Sequence, residues 1–350
     1  MKLARWNRVA GVVLAALLSL PAWGADADNR RMASPGTLNY VEGQATMGDQ
    51  TLDSKSVGSV ELQNGQVLAT GNGKAELLLT PGVYLRLGSN SSVRMVSSGL
   101  TNTQVALDQG HAMLEVDQIY PQNDIRISQA GASTRVVKTG LYDFDAANRE
   151  VRVFDGKADV YTGDRETTVK GGHQVALNAD NPDVKLKAHG FDKKAVEQND
   201  DLYRWSSLRS EYLSEANVDT ARLFYANGWY GPGWWGPGLW GPGWYWDPWF
   251  AGFTFIPGGG FFYNPFGWGF YSPVFAYRAP FGVGHVPHVF NGSRPVAIGN
   301  GFHNHAVTAF NGGAHGGGFR GAPAGGGFHG GGGGGFHGGG FGGGGFHGGR

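Results

Sequence analysis

Seven of the 11 tryptophans fall between residues 229 and 249: Trp229, Trp234, Trp235, Trp240, Trp244, Trp246 and Trp249. Gly-Pro-Gly triplets beginning at Gly231, Gly236 and Gly241 separate them. Indole rings bury large areas and stack on sugars, other rings and cations, so these seven are the candidate binding contacts. Proline fixes φ and removes a backbone donor, while glycine permits turns. The stretch is therefore expected to be a chain of turns, its rings sharing no helix or strand face. Three uses fit such a tract. It could bury its rings against the rest of the chain, adhere to polysaccharide, peptidoglycan or a membrane interface, or associate with itself. The regular five-residue spacing favours the last two.

Histidine is the second candidate chemistry. Eight of 11 histidines lie from His285 onward, and the tightest pairs are His285 with His288 and His303 with His305. Imidazoles at such spacing could hold Zn, Ni or Cu weakly, and no other cofactor is expected. The same tail gains positive charge below about pH 6.5. No HExxH, no P-loop and no Ser-His-Asp order stands out, and "GNGKAE" (71–76) joins strand to strand rather than strand to helix. With no constellation of positioned groups, the chain is expected not to be an enzyme.

The elements that must carry these residues are bounded by composition. The chain has 350 residues, 62 of them glycine, and no cysteine, which excludes disulfides and thiolate sites. Lys plus Arg and Asp plus Glu number 28 each, so no global field draws it to nucleic acid. Residues 1–27 read as an export signal: Lys2, Arg5 and Arg8, an apolar run from Val9 to Leu20, Pro21, then small residues for cleavage. That run is shorter than the roughly 18–20 residues a membrane span needs. The mature protein is expected in the periplasm or medium, with no span after cleavage.

Residues 37–188 alternate in period two. Ala75, Leu77 and Leu79, then Val83, Leu85 and Leu87, mark two strands joined by a Pro-Gly turn, and similar short runs follow as far as "HQVALN". The region is expected to be all-β. An internal echo pairs "LNYVEGQATMG" with "VRVFDGKADVYTG", matching Glu42-Gly43 to Asp155-Gly156, as repeated coils would. Thr70-Gly71, Leu77, Leu79, Gly82, Leu85, Leu87, Gly110, Val116, Thr139, Phe144, Val153, Gly156 and Val160 fall in an order that resembles the FecR domain. The resemblance implies a twisted, β-solenoid-like periplasmic module. The best-known members of that family relay iron-siderophore signals from outer-membrane receptors to sigma factors. Only eight residues precede the apolar run here, so the cytoplasmic anti-sigma segment of such a relay is not expected.

In residues 191–225, Leu202, Trp205, Leu208 and Tyr212 recur at helical spacing, with Asp192 placed to cap the start. One helix docking on the β-module is expected. Residues 226–283 form the aromatic tract, in which 253–273 is the more strand-like part, and 284–350 the Gly/His/Phe-rich tail. The tail and much of the tract are expected to be disordered, since such glycine content cannot offset ordering entropy. These readings point to a non-catalytic, envelope-associated scaffold with an adhesive aromatic tail. Its partner would be polysaccharide, peptidoglycan, a membrane protein or itself. The alternatives are a FecR-type sensor meeting a membrane receptor, and metal binding by the histidine tail.

Overall fold

The computed structural model describes residues 33–177, 185–226 and 241–278. The first of these stretches is all-β, as expected. It runs through β1 (Leu38–Met47), β2 (Gln50–Thr51), β3 (Val67–Leu78), β4 (Val83–Leu87), β5 (Ser92–Gly99), β6 (Asn102–Gln109) and β7 (His111–Val116). It continues through β8 (Asp124–Gln129), β9 (Ala132–Val136), β10 (Gly140–Asp145), β11 (Glu150–Asp155), β12 (Lys157–Thr162), β13 (Arg165–Lys170) and β14 (His173–Ala176). With β15 (His189–Gly190) these make one 15-stranded sheet.

The sheet folds over on itself. Strand β3 belongs to both halves: Val67–Ala69 pair with β5, and Ala75–Leu78 pair with β4. One half runs β3-β4-β7-β10-β11-β14-β15, and the other runs β3-β5-β6-β8-β9-β12-β13. At the far side the chain crosses between halves at Gly156, where β11 becomes β12. Gly156 has φ +97, and a Cβ there would lie 2.3 Å from the Tyr142 hydroxyl, so only glycine fits. Its echo partner Gly43, also at positive φ, sits at an irregularity of β1 against β3. Pairing is antiparallel except for β6 against β8. It describes a folded-over sheet and does not confirm the repeated coils of a solenoid.

Inward side chains of both halves meet in one apolar core. Leu77, Leu85, Leu114, Phe144 and Val153 come from the first half, and Leu68, Val93, Val105, Ile127 and Val160 from the second. This is the period-two face read from the sequence.

The helical segment follows the sheet, with Asp192 as its N-cap, accepting from the Ala195 amide. It is split at Asp200 into α1 (Lys193–Asn199) and α2 (Asp201–Ala226). The expected stripe is only partly right. Leu202 is buried, but Leu208 is exposed, and the docked face of α2 is mostly small and polar: Ser206, Arg209, Ser210, Leu213, Ser214, Asn217, Thr220 and Ala221. The serines recur every four residues, so the helix approaches its neighbours closely.

A correction concerns the aromatic tract. Residues 241–278 were expected to be turns and largely disordered chain, yet they fold. A hairpin of β16 (Gly243–Asp247) and β17 (Gly252–Ile256) is followed by a second of β18 (Phe261–Tyr263) and β19 (Gly269–Tyr271), and then by α3 (Pro273–Arg278). The β17 to β19 stretch is the part read as strand-like. The two hairpins and α2 lie over the outer face of the β3-β4-β7-β10-β11 half. Leu78 and Tyr84 of the sheet pack there with Leu213, Phe253, Phe255 and Phe270, and Met113, Leu141 and Phe154 pack with Leu202 and Phe266. A hydrophobic face of this size cannot stay wet, since each fully buried large side chain contributes about 1.5–3 kcal/mol. Among the described residues, no helix is long and apolar enough to cross a membrane.

Candidate functional site

The covered face of the sheet carries charge as well as rings. Glu76 and Arg86 are cross-strand partners in β3 and β4, and Glu115 of β7 is the register partner of Tyr84, two residues along β4. Period two sends all three away from the apolar core, into the layer beneath α2. There each is 0% exposed. Arg86 donates from Nε to Glu76 Oε2 at 2.7 Å and from Nη1 to Glu115 Oε2. Arg209 of α2 reaches down to Glu76 Oε1 at 2.9 Å, its guanidinium 4.0 Å above the Tyr40 ring. Ser210 donates to Glu115 and accepts from Arg86. Burial alone would raise the Glu76 pKa, but Arg209 and Arg86 hold it down to about 2. Burial would likewise weaken the charge on Arg86, but Glu115 and Glu76 more than offset that. A buried ion network of this kind is a weak source of net stability and a strong selector of one docking geometry.

Three asparagine amides tie the aromatic hairpins to this layer. Asn39 of β1 donates to Glu76 and to the Phe253 carbonyl, and accepts from the Phe253 amide. Asn217 of α2 donates to the carbonyls of Phe255 and Tyr271 and accepts from the Tyr271 amide. Asn264 donates to Glu115 at 2.6 Å and accepts from the amides of Phe266 and Trp268. Thr220 adds a bond to Asp247, and Ser214 one to the Gly269 carbonyl. Short hairpins leave backbone groups unpaired at their edges, and buried side-chain amides satisfy them here.

A second cluster pins the start of α2. His111 Nε2 contacts Asp143 and lies 3.8 Å from Asp200, which caps α2 through the Tyr203 amide. Arg152 holds the other Asp143 oxygen at 2.9 Å. One donor atom each of His111, Asp143 and Asp200 lies within 4.8 Å of the others, a set able to ligate a metal. The direct His111–Asp143 contact and the guanidinium on Asp143 make it read as an ion-pair clamp. Burial would lower the His111 pKa, but Asp143 and then Asp200 raise it to about 9.

Of the seven tryptophans singled out from the sequence, Trp229, Trp234, Trp235 and Trp240 lie outside the described residues, as do His285, His288, His303 and His305. The other three separate. Trp244 and Trp246 share one face of β16, contrary to the expectation that no indoles could share a strand face. Trp244 packs edge-on to Tyr84 at 4.8 Å and Trp246 to Phe253 at 5.2 Å. Trp246 also rests on Gly58, where a Cβ would approach its ring to 2.5 Å. Trp249 is 83% exposed. Of these three rings, then, Trp249 is the one presented outward.

The sequence reading missed the buried network altogether. Glu76 and Arg86 were seen as the polar alternates of half-buried strands. The available signal was their company: Tyr84, Met113, Leu141 and Phe154 sit on the same face, and a solvated face has little use for so many large apolar groups.

Residues 66–159, which run from just before β3 into β12, match the family model described as FecR protein. This stretch therefore carries a FecR domain. Comparison with curated proteins gave no match. Two crystal structures of a "putative anti-sigma factor" from Parabacteroides distasonis are similar at 15% identity, with TM-scores of 0.32 and 0.33. The matches cover 37% and 38% of this chain and 62% and 64% of those chains, so the chain spans about three fifths of their length.

Proposed function

From the FecR domain at residues 66–159 as premise, we propose that this is an exported, non-catalytic regulator of the FecR type, acting by protein contact at the cell envelope. One observation supports this above the adhesive-tail reading. Residues 241–278 are built into the domain as the cover of one sheet face, with Trp244 and Trp246 packed inside it. Rings held in that way serve docking of the cover rather than adhesion. The surface left for a partner is the outer face of the β5-β6-β8-β9-β12-β13 half. It is polar and solvated, with Arg94 paired to Asp108 and Arg135 to Asp159, and Leu100 and Val96 exposed at one end.

The test is deletion of the gene followed by transcript profiling, paired with photo-crosslinking from position 96 or 100 in intact cells. A regulator predicts a confined set of altered transcripts, restored by the wild-type gene, and a discrete crosslinked envelope protein. Unchanged transcripts would overturn the reading. The scaffold reading keeps support from exposed Trp249, and it predicts crosslinks from position 249 into wall-sized material instead.

A further inference from the structure

The buried network is one positive charge short. Glu76, Glu115 and Asp117 stand against Arg86 and Arg209, and both guanidiniums are already engaged by Glu76 and Glu115. The uncompensated member is Asp117. It follows β7 on the covered side, is 8% exposed, and neither of its carboxylate oxygens meets a hydrogen-bond donor among the described residues. Burial and the neighbouring Glu115 carboxylate push its pKa well up. A buried acid without a donor is costly, and natural proteins rarely leave one without a reason.

Asp117 lines a cavity of about 560 Å³ between the sheet and its cover. Tyr120, whose buried hydroxyl also lacks a partner, lines the same space. The far wall is made by Pro242, the Pro257–Gly259 turn, and Phe261 and Phe262 of β18. A carboxylate acceptor, a hydroxyl and flanking rings suit an organic cation, since charge-assisted bonds and ring quadrupoles both favour it. Water or a neutral donor would satisfy the oxygens but leave the charge deficit.

We propose that this cavity is a binding site for a primary ammonium group, with Asp117 as its counter-ion, the Tyr120 hydroxyl as a second polar contact and Phe261 and Phe262 as its ring wall. An ammonium there supplies the missing positive charge and the donors that Asp117 lacks. The site goes beyond the FecR-type reading, and its failure would leave that reading standing. An aliphatic amine, as on a lysine side chain, and an amino sugar share this chemistry.

The test is titration calorimetry of the full chain at constant ionic strength, with n-butylammonium chloride, glucosamine hydrochloride and 1-butanol as probes. Saturable binding of either amine is expected, together with binding at least about tenfold weaker or absent for the uncharged alcohol. Which amine binds identifies the source. Asp117→Asn, checked for retained circular dichroism, is expected to weaken the amine by about tenfold or more. Equal binding of 1-butanol to the wild type, no binding of either amine, or an Asp117→Asn variant that binds as well as the wild type would each overturn the proposal. The alcohol comparison is made on the wild type and so does not depend on the variant folding.

Discussion

The two halves of the folded-over sheet share strand length, a common core and one strand, yet their burial differs completely. In the open half β8 and β9 alternate strictly between buried and partly exposed positions. In the covered half β4 is buried at every residue, β7 at every residue after His111, and β10 at all but its last. The sequences differ to match. "DIRISQ" and "ASTRV" place small or charged groups outward, whereas "VYLRL" and "HAMLEV" place Tyr84, Arg86, Met113 and Glu115 there. A sheet buried on both faces loses its alternation, and one that meets water keeps it. The charged residues of the covered half are not exceptions to burial. They are the addresses to which α2 and the hairpins dock.

The strongest way to break this contrast is to remove the cover. A chain ending at Ala226 is expected to lose cooperative folding or to bind a hydrophobic dye strongly, because Leu78, Tyr84 and Phe154 lose their partners. A cooperative melt unchanged from the full chain would show that the cover is an accessory.

Matched arginines sharpen the comparison. Arg86→Met leaves Glu76 and Glu115 with an uncompensated buried charge and is expected to destabilise by about 3–5 kcal/mol in urea unfolding. Arg94→Met removes an exposed pair with Asp108 in the open half and is expected to change stability by no more than about 1 kcal/mol. Asn217→Ala, which strips partners from Phe255, Tyr271 and their hairpins, is expected to cost about 2–3 kcal/mol. Near-neutral unfolding curves for Asn217→Ala would mean that the hairpins are held by rings alone.

The His111 clamp adds a pH dependence to the covered half. Its folded-state pKa of about 9 lies above the ordinary 6.5. The stabilisation is therefore fully present below about pH 6.5 and is lost as pH rises through about 9, amounting to about 1–3 kcal/mol. Urea midpoints measured from pH 6 to 10 should fall in the wild type and fall less in His111→Gln. The smallest effect is expected at the exposed edge of the open half, where Leu100→Ser should stay within about 0.5 kcal/mol.

Much of the open half was legible because period two against a single core leaves a clear trace, from Ile125 and Ile127 to Val136. The glycine echo was legible too, since a chain crossing between halves needs positive φ at Gly156. The Asp192 cap follows from the same local rules. The cover was not legible for a different reason. Its helix docks through Ser206, Ser210, Ser214 and Asn217, which a search for apolar stripes passes over. Its hairpins are closed by partners far away in the chain, so Gly-Pro spacing around Trp244 and Trp246 gave the wrong local answer. Asp117 was invisible for the same reason, because nothing in "EVDQIY" shows that residues 242 and 257–262 will close over it.

The bond between Asn39 and Phe253 spans 214 positions of chain. Contacts that distant form late, because closing so long a loop must precede any reward from the contact. During synthesis and export the sheet strands therefore emerge long before their cover. For that interval the face bearing Leu78, Tyr84, Met113 and Phe154 stands open, and its acidic and basic groups are still bathed in water. The order of the chain thus builds a waiting period into maturation, and a holding chaperone acting on this protein would be needed then and dispensable afterwards.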